Sequence, residues 1–177
     1  AAPPAPAKND FDRHTPQTPE FRWVTTMFGD ISGFTATTNL LVAIYRGAGL
    51  KDTDALQRLS DVMKKTMLPI SQIVAKHGGY LDKYEGDLVM VNWGMPRQIV
   101  DQEERASACA LEIQHFMGRH GQELKKDLEA EYQRLAAGLR PEGRQQLDAA
   151  TENGTFKPLA MRDGINTARV MVTSIGQ

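Results

Sequence analysis

A single cysteine, Cys109, stands among the 177 residues. That excludes an intrachain disulfide framework and any zinc site built on thiolates. No apolar run approaches the about 20 residues that a membrane span requires, and no signal peptide is legible. Neither sign of charge is in excess: 21 Lys and Arg face 22 Asp and Glu, a net charge of −1. There is therefore no electrostatic case for nucleic acid or an anionic membrane as partner. The chain opens at Ala1 rather than Met and stops after "TSIGQ", which reads as a piece cut from a longer protein. Its length allows one domain with a sizeable core.

Residues 1–20 are rich in Ala, Pro and polar side chains and read as a linker or tail. The ordered domain is expected over 21–177. "FRWVTTMF" reads as a strand bounded by Gly29. "DTDALQRLSDVMKKTMLPISQIVAKHGG" is the clearest helix. Asp52 or Thr53 would cap it, Pro69 would kink it, and Gly78 and Gly79 would stop it. Its apolar stripe is Ala55, Leu59, Val62, Met63, Met67, Ile70, Ile73 and Val74. "YLDKY" and "LVMVNWG" read as a hairpin joined at Glu85 and Gly86. A second helix is expected from Asp101 to about Met117, with Cys109 as a small core residue. Residues 119–158 read as a polar, partly helical insertion with turn signals "RPEG" and "ENGT". A strand at Ala160 to Asn166, continuing into another at Arg169 to Thr173, closes the chain. The order strand, helix, hairpin, helix, strand gives an α+β fold, the ferredoxin-like βαββαβ palm.

Two carboxylates stand out in this plan. Asp30 ends the first strand in "MFGDISGFT", and Asp87 lies at the mouth of the run "DLVMV". If the first strand lies beside the hairpin, both sit at one end of the sheet. Neighbouring carboxylates repel unless a cation lies between them. Oxygen ligands without His or Cys suit Mg²⁺ or Mn²⁺. The small residues after Asp30 open a helix, and backbone N–H groups at such a turn can hold phosphate oxygens. Metal carboxylates beside a phosphate-binding turn point to nucleotide chemistry with two ions. Taken singly, each has a plainer reading: Asp30 as a helix N-cap, Asp87 as a turn carboxylate.

"VTTMFGDISGFTATT", "HGGYLDKYEGDLVMVNWGMP" and "RDGINTARVMVTSIGQ" resemble, in order, the signatures of class III adenylate/guanylate cyclase catalytic domains, most closely the bacterial adenylate cyclases. The resemblance implies that Asp30 and Asp87 are the metal carboxylates and that Ile31 lends a backbone carbonyl to the second ion. It implies that Ser32, Gly33, Phe34 and Thr35 wrap the triphosphate. Lys83 stands where the family selects its purine, with lysine typical of adenylate and glutamate of guanylate cyclases. Arg169 stands where some members touch the substrate's phosphates. The implied reaction turns ATP into 3′,5′-cyclic AMP and pyrophosphate with two Mg²⁺ or Mn²⁺ ions. The implied partner is a second cyclase domain in a head-to-tail homodimer, with no nucleic acid and no membrane contact. The implied setting is intracellular signalling, in a cytoplasmic domain whose parent protein can be membrane-anchored.

The sequence also departs from the family. The segment that follows "IG" in the family carries a second base-selecting residue and the Asn and Arg that stabilise the transition state, and it is absent here. The domain is therefore expected to be incomplete at its C-terminus and, alone, short of those residues. Ala168 and Thr173 stand where glycines are common, and Glu85 where an apolar residue is usual. "LLVAIYRGAGLKDTDA" lengthens the spacing between the aspartates. Two other functions fit the same residues: a non-catalytic cyclase-like module that dimerises or senses nucleotide, and a guanylate cyclase. A diguanylate cyclase does not, because "YEGDL" is not its hairpin signature. Phe28 and Trp93 are expected in the core; His77, His115 and His120 are expected to be structural or exposed. The charged stretch Arg119–Asp148 is expected to be a solvated surface, with a partner-binding arm as the alternative.

Overall fold

Seven elements follow one another along the chain: β1 Glu20–Ser32, α1 Phe34–Gly47, α2 Asp52–Lys76, β2 Tyr80–Glu85, β3 Leu88–Trp93, α3 Gln102–Ala137 and β4 Ala160–Val172. The structure is a computed structural model and describes residues 15–16, 18–139, 141, 145 and 156–173. Most of the tail expected over 1–20, most of the 140–155 part of the expected insertion and the closing "SIGQ" lie outside the described residues.

The strands form one sheet in the order β2-β3-β1-β4, with β3 antiparallel to both β1 and β2. This is the palm topology expected from the sequence. Alternation along the strands divides the sheet into two faces. Met27, Val89, Val91 and Trp93 are fully buried on one face. On the other face lie Asp30, Phe28 and Lys83, in register through Leu88 and Met90.

By compactness the chain forms two units. The first comprises Ala1–Asp30, Pro69–His115 and Met161–Gln177; the second comprises Ile31–Leu68 and Phe116–Ala160. In the first unit the buried sheet face shares its core class with Ile70, Val74, Ala106, Cys109 and Ile113. Burial pushes the Cys109 thiol up to about 12, so it packs as an inert apolar residue. Glu112 bonds Lys76 (2.7 Å) and His77 (2.8 Å), and Trp93 Nε1 donates to the His77 carbonyl at 3.1 Å. His77 is thus structural, as expected. Helix α2 ends as the glycines require. Gly78 takes φ +72°, and Gly78 N–H and Gly79 N–H donate to the carbonyls of Ala75 and Val74, a Schellman stop.

In the second unit, Leu40, Leu41, Ile44, Ala55, Val62, Met117, Leu124 and Leu128 are buried. A polar network ties the three helices together there. Arg58 donates to Glu131 at 2.6 Å and to Asp127 at 2.7 Å, and Tyr45 Oη donates to Glu131. Burial, then the Glu131 carboxylate, pushes the Tyr45 hydroxyl up to about 12.

Several expectations need correction. Two helices, not one, separate β1 from the hairpin. Helix α2 begins at Asp52 itself, and the Asp54 carboxylate reaches back to the Lys51 N–H at 3.1 Å. Helix α3 runs to Ala137 instead of ending near Met117. Leu124, Leu128 and Ala136 are buried on one face of that extension, and the helical spacing of these sparse apolar residues was hidden among charges. The segment 160–172 is one unbroken strand. Phe28 is not core but 48 % exposed, because it sits on the open face of the sheet. Trp93 is fully buried as expected.

Candidate active site

Strand β1 carries Asp30 to the end of the sheet, where it pairs with Leu88. The hairpin pairs Glu85 with Leu88 and turns through Gly86 and Asp87, Gly86 taking φ +64°. The turn is therefore one residue later than expected, and Asp87 is in it. Asp87 immediately precedes the residue that faces Asp30 across the ladder. The two carboxylates thus come to the same end of the sheet, as the sequence anticipated. Asp87 is half-buried and makes no side-chain hydrogen bond or ion pair with described residues. Among the described residues no group of three or more His, Cys, Asp or Glu gathers as a metal cluster.

Strand β4 approaches β1 closely at this end. A Cβ on Gly29 would lie 1.9 Å from Met161 Cε and 2.8 Å from Asp163 Oδ1. Met161 and Asp163 therefore turn under the sheet, and alternation sends Arg162, between them, to the open face. There Arg162 Nη2 donates to Asp30 Oδ2. The sequence reading missed Arg162. The signal was available: an antiparallel β4 laid against β1 sets "MRDG" opposite "FGD".

Lys83 shares the open face with Asp30, two strands away, and so about 10 Å across the ladder. Its ammonium bonds Glu85 at 2.9 Å, and that hydrogen bond raises its pKa. In the second unit, Ile31 is buried, so only its main chain is free for another task. Gly33, at φ +90°, caps α1 without any side-chain bond. Asp30 is a strand residue and not the N-cap. The first N–H groups of α1, from Phe34 and Thr35 onward, have no partner within the helix. Arg169 lies over the Phe21 ring, 5.2 Å from its centroid. It stands seven residues along β4 from Arg162, a strand length of about 23 Å, so the first unit does not bring Arg169 to Asp30.

No family model matches the chain, and no curated protein does. Solved structures match with probability 1.00. The adenylyl cyclase CyaB from P. aeruginosa superposes with a TM-score of 0.60 at 24 % identity, over 90 % of this chain and 63 % of that one. The guanylyl cyclase Cya2 gives 0.56 at 25 % identity, over 89 % and 60 %. A bacterial light-regulated adenylyl cyclase gives 0.51 at 16 % identity, over 90 % and 34 %. The chain has the class III nucleotidyl cyclase fold. It spans 63 % and 60 % of the length of the first two of these cyclase structures. Among the described residues of the cyclase fold, no helix is long and apolar enough to cross a membrane.

Beneath Asp30 the cyclase fold carries a second acid in this chain, Asp163. Gln114 Nε2 donates to its Oδ2 at 2.6 Å and to the Met161 carbonyl at 2.7 Å, while Asp163 Oδ1 is buried with no partner. Burial raises its pKa, and the Gln114 bond only partly offsets this. A raised acid pKa means the folded state holds the proton more tightly than the unfolded chain does. Stability is therefore lost as pH rises from the ordinary carboxylate range through the raised value. We expect Asp163→Asn to remove that decline and to stabilise the protein by about 1 kcal/mol at neutral pH. Thermal melts of both proteins across pH 4–8 check it; parallel pH profiles would refute it.

Proposed function

We propose that this chain is the catalytic domain, over residues 21–177, of a nucleotidyl cyclase that makes 3′,5′-cyclic AMP from ATP. One observation carries the reading: on a cyclase fold, the pairing of Asp30 with Leu88 draws Asp30 and Asp87 to one end of the sheet. The donor set suits the ions this chemistry needs. Both side chains are hard oxygen donors, neither has a His or Cys beside it, and the partner that Asp30 does have is itself a cation. Asp30, Asp87 and the Ile31 carbonyl would hold two Mg²⁺ or Mn²⁺ ions. When bound, such ions neutralise the triphosphate and ease loss of the ribose 3′-hydroxyl proton.

The chain's own groups do the rest by position. Ser32 to Thr35, with the open N–H groups of α1, take phosphate oxygens. Lys83 reads the purine from the open face of the sheet. Arg169 contacts phosphate in the assembled dimer. The 3′-oxygen attacks the α-phosphorus in line, the bond from that phosphorus to the bridging oxygen breaks, and pyrophosphate leaves. The partner this reading implies is a second cyclase domain, packed head to tail. Guanylyl cyclases among the similar structures keep GTP as the second reading of the substrate.

Calorimetric titration with a non-cyclising ATP analogue tests the reading. Binding that requires Mn²⁺ is expected; binding that ignores the metal, or none at all, contradicts it. For the base, we expect Lys83→Glu to weaken the ATP analogue about tenfold, the loss of one charged hydrogen bond, and to favour the GTP analogue. Unchanged affinities would remove Lys83 from the base pocket.

A further inference from the structure

We propose that Arg162 is the counter-ion of the metal-free site and surrenders Asp30 when a divalent cation enters. The inference rests on reading Asp30 as a metal carboxylate. Gly29 fixes the geometry. Because no Cβ stands there, Met161 and Asp163 pack beneath β1 and Arg162 is set beside Asp30 on the open face. The Arg162 side chain is 75 % exposed and bonds only Asp30 among the described residues. Among the described residues nothing else anchors its guanidinium.

Without metal, Asp30 and Asp87 would leave two negative charges at one end of the sheet, with a single guanidinium to offset them. That one Arg cannot satisfy both carboxylates at once, because its single contact is to one Asp30 oxygen. An ion pair this exposed is worth little in water. A divalent cation that both acids can reach therefore displaces it readily. The guanidinium then swings free on a flexible stem at the mouth of the site. Arg162 is thus a positioning residue, which sets how much metal the site takes up. Substituting it should affect metal uptake with no nucleotide present.

The test uses Mn²⁺ alone, with the free ion followed by its electron paramagnetic resonance signal. We expect Arg162→Gln to bind Mn²⁺ about two- to fivefold more tightly than the parent, because the competing cation is gone. Arg162→Lys keeps the charge and should stay near the parent. We expect Asp30→Asn to lose the tight site. If Arg162→Gln binds Mn²⁺ no more tightly while Asp30→Asn loses it, the exchange is wrong and the metal reading stands. If Asp30→Asn binds as the parent does, the metal reading itself falls, and the inference with it.

Discussion

Asp30→Asn or Asp87→Asn, introduced into the protein that carries this domain, is expected to lower cyclic AMP formation by at least about 10²–10³-fold. Each change keeps the shape of the side chain but removes the charge that holds a divalent ion. Asp30 sits in the ladder through its backbone, and its side-chain partner is the exposed Arg162. Asp87 lies in the hairpin turn with no side-chain partner among the described residues. Neither carboxylate supports the fold. Both variants should melt within a few degrees of the parent, and rate assays in Mg²⁺ and in Mn²⁺ should show the loss in both metals. A variant that keeps near-parent turnover would remove its aspartate from the chemistry.

The second large effect is on stability. Gly121 lies inside α3, where alanine normally stabilises a helix by about 1 kcal/mol relative to glycine. A Cβ there would lie 2.0 Å from the Leu159 carbonyl oxygen and 3.1 Å from the Leu159 C and N atoms. These are main-chain atoms, so no rotamer change relieves the clash, and either the helix or the segment entering β4 must move. Overpacking of this kind costs about 1–3 kcal/mol or more, which outweighs the propensity gain. Gly121→Ala should therefore lower the melting temperature by roughly 5 °C or more. Gly118 provides the contrast. Three residues earlier in the same helix, its added Cβ meets nothing within 4 Å, so Gly118→Ala should be neutral or stabilising. Equal effects from the two substitutions would mean that Gly121 is not a packing residue.

The sequence made the sheet and the aspartate pair legible for a physical reason. Strand alternation, Gly86 in the hairpin and the capping glycines at the end of α2 are local signals, and each fixes a direction. The second half of α3 was not legible, because three apolar contacts, Leu124, Leu128 and Ala136, are spread through a charged stretch. Gly121, within the same stretch, is a point of close approach to the Leu159 main chain, a contact that local sequence does not signal. Phe28 was misplaced because an aromatic residue in a strand implies a core, and the sheet leaves that face open. Arg162 escaped notice because its neighbour in space, Asp30, is 132 residues away in sequence. Strand pairing supplies that contact, and composition does not.

The most direct test of the account is a crystal of the domain soaked in Mn²⁺ and a non-cyclising ATP analogue, with the ions located by anomalous scattering. We predict peaks within bonding distance of both the Asp30 and Asp87 carboxylates. Ions bound elsewhere, or an ordered nucleotide with no ion at either aspartate, would contradict it.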